Sequence, residues 1–80
     1  MNIILGKKVI EIKSKYVNKG KFLSKLIKQY PDKQFIVVGD DTTDEDMFKV
    51  CRNNDISIRV SDEDKNTHAK YLIEKQNMVL

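Results

Sequence analysis

The sequence predicts an α/β fold in which a parallel sheet carries helices, and three observations lead to this prediction. Residues 35–38 are four consecutive apolar residues, as in a strand that is covered on both faces of a parallel sheet. Gly39 then turns the chain into a helical pattern with an acidic start. Residues 56–60 follow at the spacing of a strand-helix-strand crossover, which places a second parallel strand beside the first.

The amino-terminal stretch reads as a β-hairpin. Residues 3–5 and 9–12 are rich in apolar side chains and flank the pair Gly6 and Lys7, where glycine supplies the positive φ that a tight turn needs. Alternation places Glu11 on a mixed face of the second strand. An ordinary exposed strand acid remains the alternative to a binding role for Glu11.

The next element is an amphipathic helix, whose apolar positions are Phe22, Leu23, Leu26, Ile27 and Tyr30. Pro31 ends it, because the residue before a proline avoids the helical region. Lys19 lies at the predicted amino terminus of this helix, where free backbone N–H groups favour a phosphate and the helix dipole gains nothing from another cation. The alternative is one more solvated lysine.

The stretch after Gly39 places acids between a strand and a helix. Thr42 and Glu45 fit the capping box of a helix start, and residues 47–51 supply an apolar face. Asp40 and Asp41 therefore lie at the carboxyl end of a strand. In open α/β sheets, ligands bind at that end.

A magnesium ion is the predicted occupant of this position. Adjacent carboxylates repel each other, and a hard divalent cation with oxygen ligands relieves that repulsion most simply. The alternative, which stays open above all for residues 44–46, is that the acids only cap and solubilise a helix. A calcium-binding EF-hand loop is excluded, because Glu45 stands where that loop needs glycine and Cys51 where it needs a bidentate glutamate.

The carboxyl-terminal part gives weaker signals. Residues 61–67 are predicted to form a solvated loop, and residues 69–73 a short edge strand, with a helix as the competing interpretation. Residues 74–80 would begin a final helix. His68 has no cysteine or second histidine near it, so a surface or loop position is favoured over a ligand role.

Length, charge and cysteine content limit the function classes. Eighty residues make one domain at most, and a formal charge of +3 gives only a mild preference for anionic partners. Nucleic acid is not an expected partner, because the acids of residues 40–46 repel phosphate and arginine is scarce among the basic residues. The lone Cys51 indicates a small buried thiol in a reducing compartment, and the short apolar run at the amino terminus predicts neither a signal peptide nor a membrane span. We therefore expect a cytoplasmic protein.

The string GDDTTDEDMF, residues 39–48, resembles the last signature of trehalose-6-phosphate phosphatases, a branch of the haloacid-dehalogenase superfamily. Related sugar phosphatases carry a looser pattern, Gly-Asp, two variable residues, then Asn-Asp. The similarity extends along nearly the whole chain and in the family's order, through Gly6, Val9 and Glu11, then residues 18–20, then Thr67, Ala69, Tyr71 and Leu72.

The resemblance implies a partial haloacid-dehalogenase (Rossmann-like) parallel sheet with helices, preceded by a β-hairpin from the cap domain. Residues 1–17 correspond to the end of the cap domain, as hairpin and linker, and residues 18–80 to the C-terminal part of the phosphatase core. The family reaction is transfer of the phosphoryl group of trehalose 6-phosphate to an aspartate, followed by hydrolysis of that intermediate to give trehalose and phosphate.

The resemblance also implies roles for individual residues in this reaction. Lys19 corresponds to the phosphate-binding lysine, and Asp40 to a direct magnesium ligand. Asp41 would serve the same metal through water or hydrogen bonds, and Asp44 would support the loop without being a ligand of the metal itself.

Two residues of the hairpin correspond to the sugar-binding surface of the cap. Glu11 would contact trehalose hydroxyls, and Lys7 is a weaker candidate for the same surface.

The attacking aspartate of the family lies in an Asp-x-Asp-Gly-Thr strand turn, and this sequence contains no such string. We therefore expect that the isolated chain does not hydrolyse trehalose 6-phosphate, which would bind only together with the part that supplies the nucleophile. The alternative is a non-catalytic remnant or regulatory fragment that associates with a related phosphatase through its incomplete sheet, at an uncovered edge beside residues 35–38.

Overall fold

A computed structural model describes residues 1–13, 18–62 and 66–75 of the chain. In chain order the elements are β1 (Asn2–Leu5), β2 (Lys8–Glu11), α1 (Lys19–Gln29), β3 (Phe35–Gly39), a 3₁₀ turn (Thr42–Asp44), α2 (Glu45–Val50), β4 (Ile56–Val60) and β5 (Tyr71–Ile73). Within the described ranges, neither helix has the length and apolar content that crossing a membrane requires.

The strands form one mixed sheet in the order β2-β1-β3-β4-β5. Strands β3, β4 and β5 are parallel, as predicted, whereas β1 is antiparallel to both β2 and β3. The expectation of a purely parallel sheet with a hairpin in front of it is therefore wrong. The tight turn at Gly6, with φ of 59°, forces β1 and β2 to be antiparallel, and β1 enters the sheet because its pairing buries Ile3 beside Val37.

The predicted free edge beside residues 35–38 is also wrong. β1 pairs with β3 over most of its length, from Leu5 opposite Phe35 to Asn2 opposite Val38, and β4 occupies the other side. Among the described strands, the edges are β2 and β5. The proposed boundary between residues 17 and 18 stays a prediction, since residues 14–17 lie outside the described part of the chain.

The core lies between one face of the sheet and the two helices. Its fully buried side chains are Ile3, Leu23, Phe35, Val37, Met47 and Phe48. The expectation that β3 is covered on both faces is therefore only half right. Phe35 and Val37 have no exposed surface, but Ile36 and Val38 are only half-buried, because α1 and α2 pack on the same side of the sheet.

Strand β4 turns its polar residues inward, contrary to the alternation expected for it. Ser57 pairs in register with Val37 and Arg59 with Gly39, so both polar side chains lie on the helix-covered face and are buried. The hydroxyl of Ser57 accepts a hydrogen bond from the backbone N–H of Lys70 at 2.8 Å. Burial of Ser57 is tolerated because its hydroxyl has a hydrogen-bond partner.

The remaining elements follow the sequence patterns closely. The amide oxygen of Asn18 accepts a hydrogen bond from the N–H of Lys21 at 3.0 Å and caps α1, which ends before Pro31 as predicted. β5 is the predicted short edge strand. The predicted final helix falls mostly on residues 76–80, which lie outside the described residues.

Cys51 is a half-buried thiol whose Sγ donates to the carbonyl of Met47 at 3.6 Å. Burial raises the pKa of this thiol to about 11, so it stays protonated near neutral pH. A protonated, partly buried thiol is a poor nucleophile.

A buried carboxylate fixes the loops at the amino ends of β3 and β4. Asp55 has no exposed surface, and its carboxylate accepts from the backbone N–H of Phe35 at 3.1 Å and from the N–H and guanidinium of Arg52 at 2.8 to 3.1 Å. Arg52 also donates to the carbonyls of Pro31 and Lys33. Burial alone favours the protonated acid, but these hydrogen bonds outweigh it and hold the pKa of Asp55 below its ordinary value of 3.8.

Because the folded-state pKa of Asp55 is depressed, its contribution to stability is complete above about pH 4 and is lost as the pH falls toward the folded-state value. We expect Asp55→Asn to lower the free energy of unfolding by about 2 kcal/mol at pH 7 and to flatten the loss of stability below about pH 4. Urea unfolding between pH 2.5 and 7 measures both effects. Asp32→Asn, at an exposed position, is the control at pH 7, and equal stabilities of the two variants would contradict this role for Asp55.

Candidate functional site

The candidate site lies where β3 ends. Gly39 is the last residue of the strand, and residues 40–44 form the loop and turn that lead into α2; we call residues 40–44 the acid loop. Because β2 and β3 both pair antiparallel with β1, they run in the same direction. Asn2 pairs with both Glu11 and Val38, so Glu11 reaches the same end of the sheet as the acid loop.

The acid loop is closed by a reciprocal cap. The carboxylate of Asp41 accepts the N–H of Thr42 at 2.8 Å, and the carboxylate of Asp44 accepts the N–H of Asp41 at 3.0 Å. The predicted capping box of Thr42 and Glu45 is therefore wrong by one residue. The turn is a short 3₁₀ helix that starts directly after Asp41, and α2 begins only at Glu45.

Lys19 and Asp44 form a buried ion pair beneath this loop. The Nζ of Lys19 donates to Asp44 Oδ1 at 2.5 Å and to the hydroxyl of Thr43 at 3.0 Å. The side chains of Lys19 and Asp44 are 9% and 0% exposed. The alternative of a solvated Lys19 is therefore wrong, and the amino end of α1 is tied to the turn after β3.

Gly39 leaves the space that the Asp44 carboxyl group fills. A Cβ on residue 39 would stand 2.6 Å from both Cβ and Cγ of Asp44 and would collide with its carboxylate. Glycine is thus needed here for the close approach of a side chain rather than for an unusual φ. Any larger residue would push Asp44 away from Lys19.

Asp40 is exposed and, unlike Asp41 and Asp44, faces a cleft. It lines a cleft of about 160 Å³ with Met1, Asn2, Val38, Gly39, Val60 and Lys75. Within the described residues, its carboxylate has neither a hydrogen bond nor an ion pair. The structure therefore joins Lys19, Asp44 and the backbone of Asp41 directly, and places the free carboxylate of Asp40 next to them in the chain.

The two predicted sugar contacts lie at opposite ends of the sheet. Glu11 lies at the acid-loop end, with an exposed side chain 3.9 Å from the Nζ of Lys13. Lys7 lies in the hairpin turn, next to Lys8, which pairs with Leu5 opposite Phe35 at the start of β3. The structure does not bring Lys7 together with the other candidates.

Arg59 also holds the acid loop, and sequence reasoning missed it; its ion-pair partner is Glu45, which was predicted only as part of a capping box. The guanidinium of Arg59 donates to the backbone carbonyl of Asp41 and, through Nη1 at 3.3 Å, to Glu45 Oε2. The alternation in β4 gave no signal for this role, because it predicted that Ile56, Ile58 and Val60 face inward, and only the pairing of Arg59 with Gly39 shows which face is buried.

The residues present fit a magnesium ion only in part. No group of three or more histidine, cysteine, aspartate or glutamate residues within the described ranges is arranged to hold a metal. The carboxylate of Asp44 is occupied by Lys19, and that of Asp41 caps the turn, which leaves Asp40 as the available ligand. Magnesium commonly uses one or two protein carboxylates and fills its other positions with water and phosphate oxygens, so Asp40 can supply one side of such a site.

We expect Asp44→Asn to destabilise the protein by about 3 kcal/mol, because it leaves the Lys19 ammonium buried without a counter-charge. Asp46→Asn is the control, because it removes the same charge from an exposed side chain whose partner, 3.8 Å away, is the exposed Lys49. It should change the free energy of unfolding by less than about 0.5 kcal/mol. Urea unfolding at pH 7 compares the two variants. Equal, small effects would show that the ion pair does not stabilise the fold.

Comparison with known proteins identifies the family. The model of the trehalose-phosphatase family matches residues 1–77. The chain is also 43% identical, over 83 aligned residues, to alpha,alpha-trehalose-phosphate synthase (UDP-forming) B of Dictyostelium discoideum. That match covers 100% of this chain but only 10% of the relative, so the chain spans about a tenth of that protein's length. No solved structure matches the chain. With its match to the family model and its identity to this relative, the chain belongs to the trehalose-phosphatase family.

Proposed function

We propose that the chain forms the metal- and phosphate-binding part of a phosphatase of the haloacid-dehalogenase type that acts on trehalose 6-phosphate. The observation that carries this proposal is the acid loop at the carboxyl end of β3, held by the buried pair of Lys19 and Asp44. Ligand sites of α/β sheets lie at that end of the strands. Family membership supports the substrate class.

Asp40 offers the carboxylate that would hold magnesium, and the hydrogen bonds of Asp41 and Asp44 fix the backbone that presents it. A bound magnesium ion supplies positive charge that stabilises the transferring phosphoryl group. Asp41 lies beside Asp40 in the chain, where it can reach the same ion through water. We assign Asp44 to holding the loop, because both its oxygens already accept hydrogen bonds.

We assign Lys19 to the binding of phosphate, because it holds a fixed positive charge beneath the acid loop. An ammonium has three N–H donors, and among the described residues Lys19 uses two of them, toward Asp44 and Thr43. The third is available for a phosphate oxygen. Pairing with Asp44 also fixes the ammonium in place before substrate arrives, which is the preorganisation that electrostatic catalysis needs.

The sugar contact is assigned to Glu11, at the end of β2 nearest the acid loop. A carboxylate accepts hydrogen bonds from sugar hydroxyls, and Glu11 is exposed. Lys7, at the far end of the sheet, would contact the same sugar only in a different arrangement of the hairpin.

The nucleophile would come from elsewhere. No Asp-x-Asp-Gly-Thr string occurs in the 80 residues, so we expect these residues to need a segment that carries it. The second candidate function is a non-catalytic piece that pairs with a related phosphatase. The half-buried apolar residues Ile36, Val38 and Ile58, on the sheet face that α1 and α2 leave free, favour association.

The direct test measures phosphate release from trehalose 6-phosphate with and without Mg²⁺. We expect no turnover by the 80 residues alone, and Mg²⁺-dependent turnover when a trehalose-phosphatase segment that contains the Asp-x-Asp-Gly-Thr string is added in trans. In the mixture, Asp40→Asn should lose activity, whereas Asp32→Asn, exposed at the opposite end of β3, should keep it.

Mg²⁺-dependent turnover by the isolated chain, lost in Asp40→Asn, would mean that these residues contain a nucleophile of their own. Absence of activity in the mixture, together with a stable complex in size-exclusion chromatography, would favour the non-catalytic pairing function. If the chain stays a monomer in the mixture and shows neither a complex with the added segment nor activity, both functions are contradicted.

A further inference from the structure

Arg59 is a buried arginine that contacts the acid loop from the neighbouring strand. Its backbone pairs with Gly39, the residue just before Asp40, and only 4% of its surface is exposed. Its Nη1 donates both to the carbonyl of Asp41 and to Glu45 Oε2. The guanidinium therefore bridges the backbone of the acid loop and the first residue of α2.

These contacts stabilise the fold little. The attraction within a single buried ion pair rarely exceeds the desolvation penalty of its charges, and a protein with an apolar side chain of similar volume in that place is often as stable. In addition, Nε of Arg59 is buried and has no hydrogen-bond partner in the described part of the chain, which adds a desolvation cost. A methionine would fill the same space without these costs, so fold stability alone does not explain an arginine at this position.

Glu45 extends the contact to a third segment. Its Oε2 accepts the hydroxyl of Thr67 at 2.7 Å, and its Oε1 accepts the backbone N–H of His68 at 2.7 Å. The hydroxyl of Thr67 in turn accepts the N–H of Ala69, which packs against the core. One carboxylate thus ties the segment before β5 to the arginine that holds the acid loop.

We propose that Arg59, held in place by Glu45, is a positioning residue that fixes the carbonyl of Asp41 so that the acid loop presents Asp40 toward metal and phosphate. What the loop binds rests on the proposed function, whereas the fixing of the loop rests on the contacts of Arg59 alone. Two cations then hold the loop from different elements, since Lys19 binds the side chain of Asp44 and Arg59 binds the backbone of Asp41.

A pair of double variants tests this role. Glu45→Gln with Arg59→Met removes the buried pair and keeps an amide oxygen as acceptor at position 45. Asp46→Asn with Lys49→Met removes the exposed pair of the same helix, 3.8 Å apart, and is the matched control. Each double variant leaves the net charge unchanged, so a general change in attraction for cations cannot explain a difference between them.

Two NMR readouts separate positioning from stability. Hydrogen exchange of the Asp44 amide, which donates to the carbonyl of Asp41 at 3.0 Å, reports the order of the loop without any metal. Mn²⁺ serves as a paramagnetic probe for the magnesium position, and its broadening of the amide signals of the acid loop measures how well Asp40 is placed to bind a metal ion. Both are measured on the full 80-residue chain.

We expect the Asp44 amide of the Glu45→Gln, Arg59→Met variant to exchange about tenfold faster than in the wild type. Half-maximal broadening should need about tenfold more Mn²⁺, whereas the thermal midpoint stays near that of the wild type. The control variant should keep the wild-type values. Wild-type exchange and wild-type broadening in the Glu45→Gln, Arg59→Met variant would overturn the inference.

Arg59→Lys covers the case in which the double variant does not fold. Lysine keeps the charge opposite Glu45, but its ammonium ends one bond short of the position of Nη1, the nitrogen that makes both contacts of Arg59. Faster exchange of the Asp44 amide in this variant supports the inference, and wild-type exchange overturns it. If the wild-type loop is protected but Mn²⁺ causes no broadening, the proposed metal site fails, and the exchange measurements alone decide the role of Arg59.

Discussion

Lys19 and Asp44 meet 2.5 Å apart inside the protein, and this ion pair connects the start of α1 to the turn after β3. Removing one partner would leave an uncompensated buried charge, so the two elements are held in one relative position. The same Asp44 carboxylate accepts the N–H of Asp41 and thereby sets the course of the backbone next to Asp40. Gly39 makes this possible, because only a residue without a Cβ leaves room for the carboxyl group of Asp44.

As a result of these contacts, the neighbouring acids differ in burial and in hydrogen bonding. Asp44 is buried and fully bonded, Asp41 caps the turn, and Asp40 remains exposed without a partner in the described residues. Acids that are close in sequence therefore have different chemical roles, because one of them is neutralised by Lys19 and another is left to face a cleft. Arg59 adds a second fixed cation, which contacts the loop from β4.

Much of this arrangement could be predicted from local patterns. Short-range rules predict the strand at residues 35–38, the hairpin turn at Gly6 and the amphipathic helix α1. The structure has a strand, a hairpin and a helix at these places. The string at residues 39–48 led to the family and to the acid loop. The roles of Lys19 and Asp40 in binding phosphate and metal stay predictions.

The remainder depended on long-range pairing, which local patterns do not encode. The insertion of β1 beside β3 follows from burying Ile3, and no short-range signal predicts which strand gains that partner. The buried networks of Arg52 with Asp55 and of Arg59 with Glu45 join residues whose partners are known only once the sheet is assembled. The capping box was misplaced because a 3₁₀ turn before α2 moves the cap to Asp41.

We propose that Lys19 neutralises Asp44 and leaves Asp40 as the acid that meets a metal ion. A Mg²⁺ titration followed by the side-chain carboxyl carbon resonances tests this claim most directly. We expect the Asp40 resonance to move and saturate while that of Asp44 stays in place, because the oxygens of Asp44 are already bonded to Lys19 and to the N–H of Asp41. A saturating shift of Asp44 with none at Asp40 would contradict the claim.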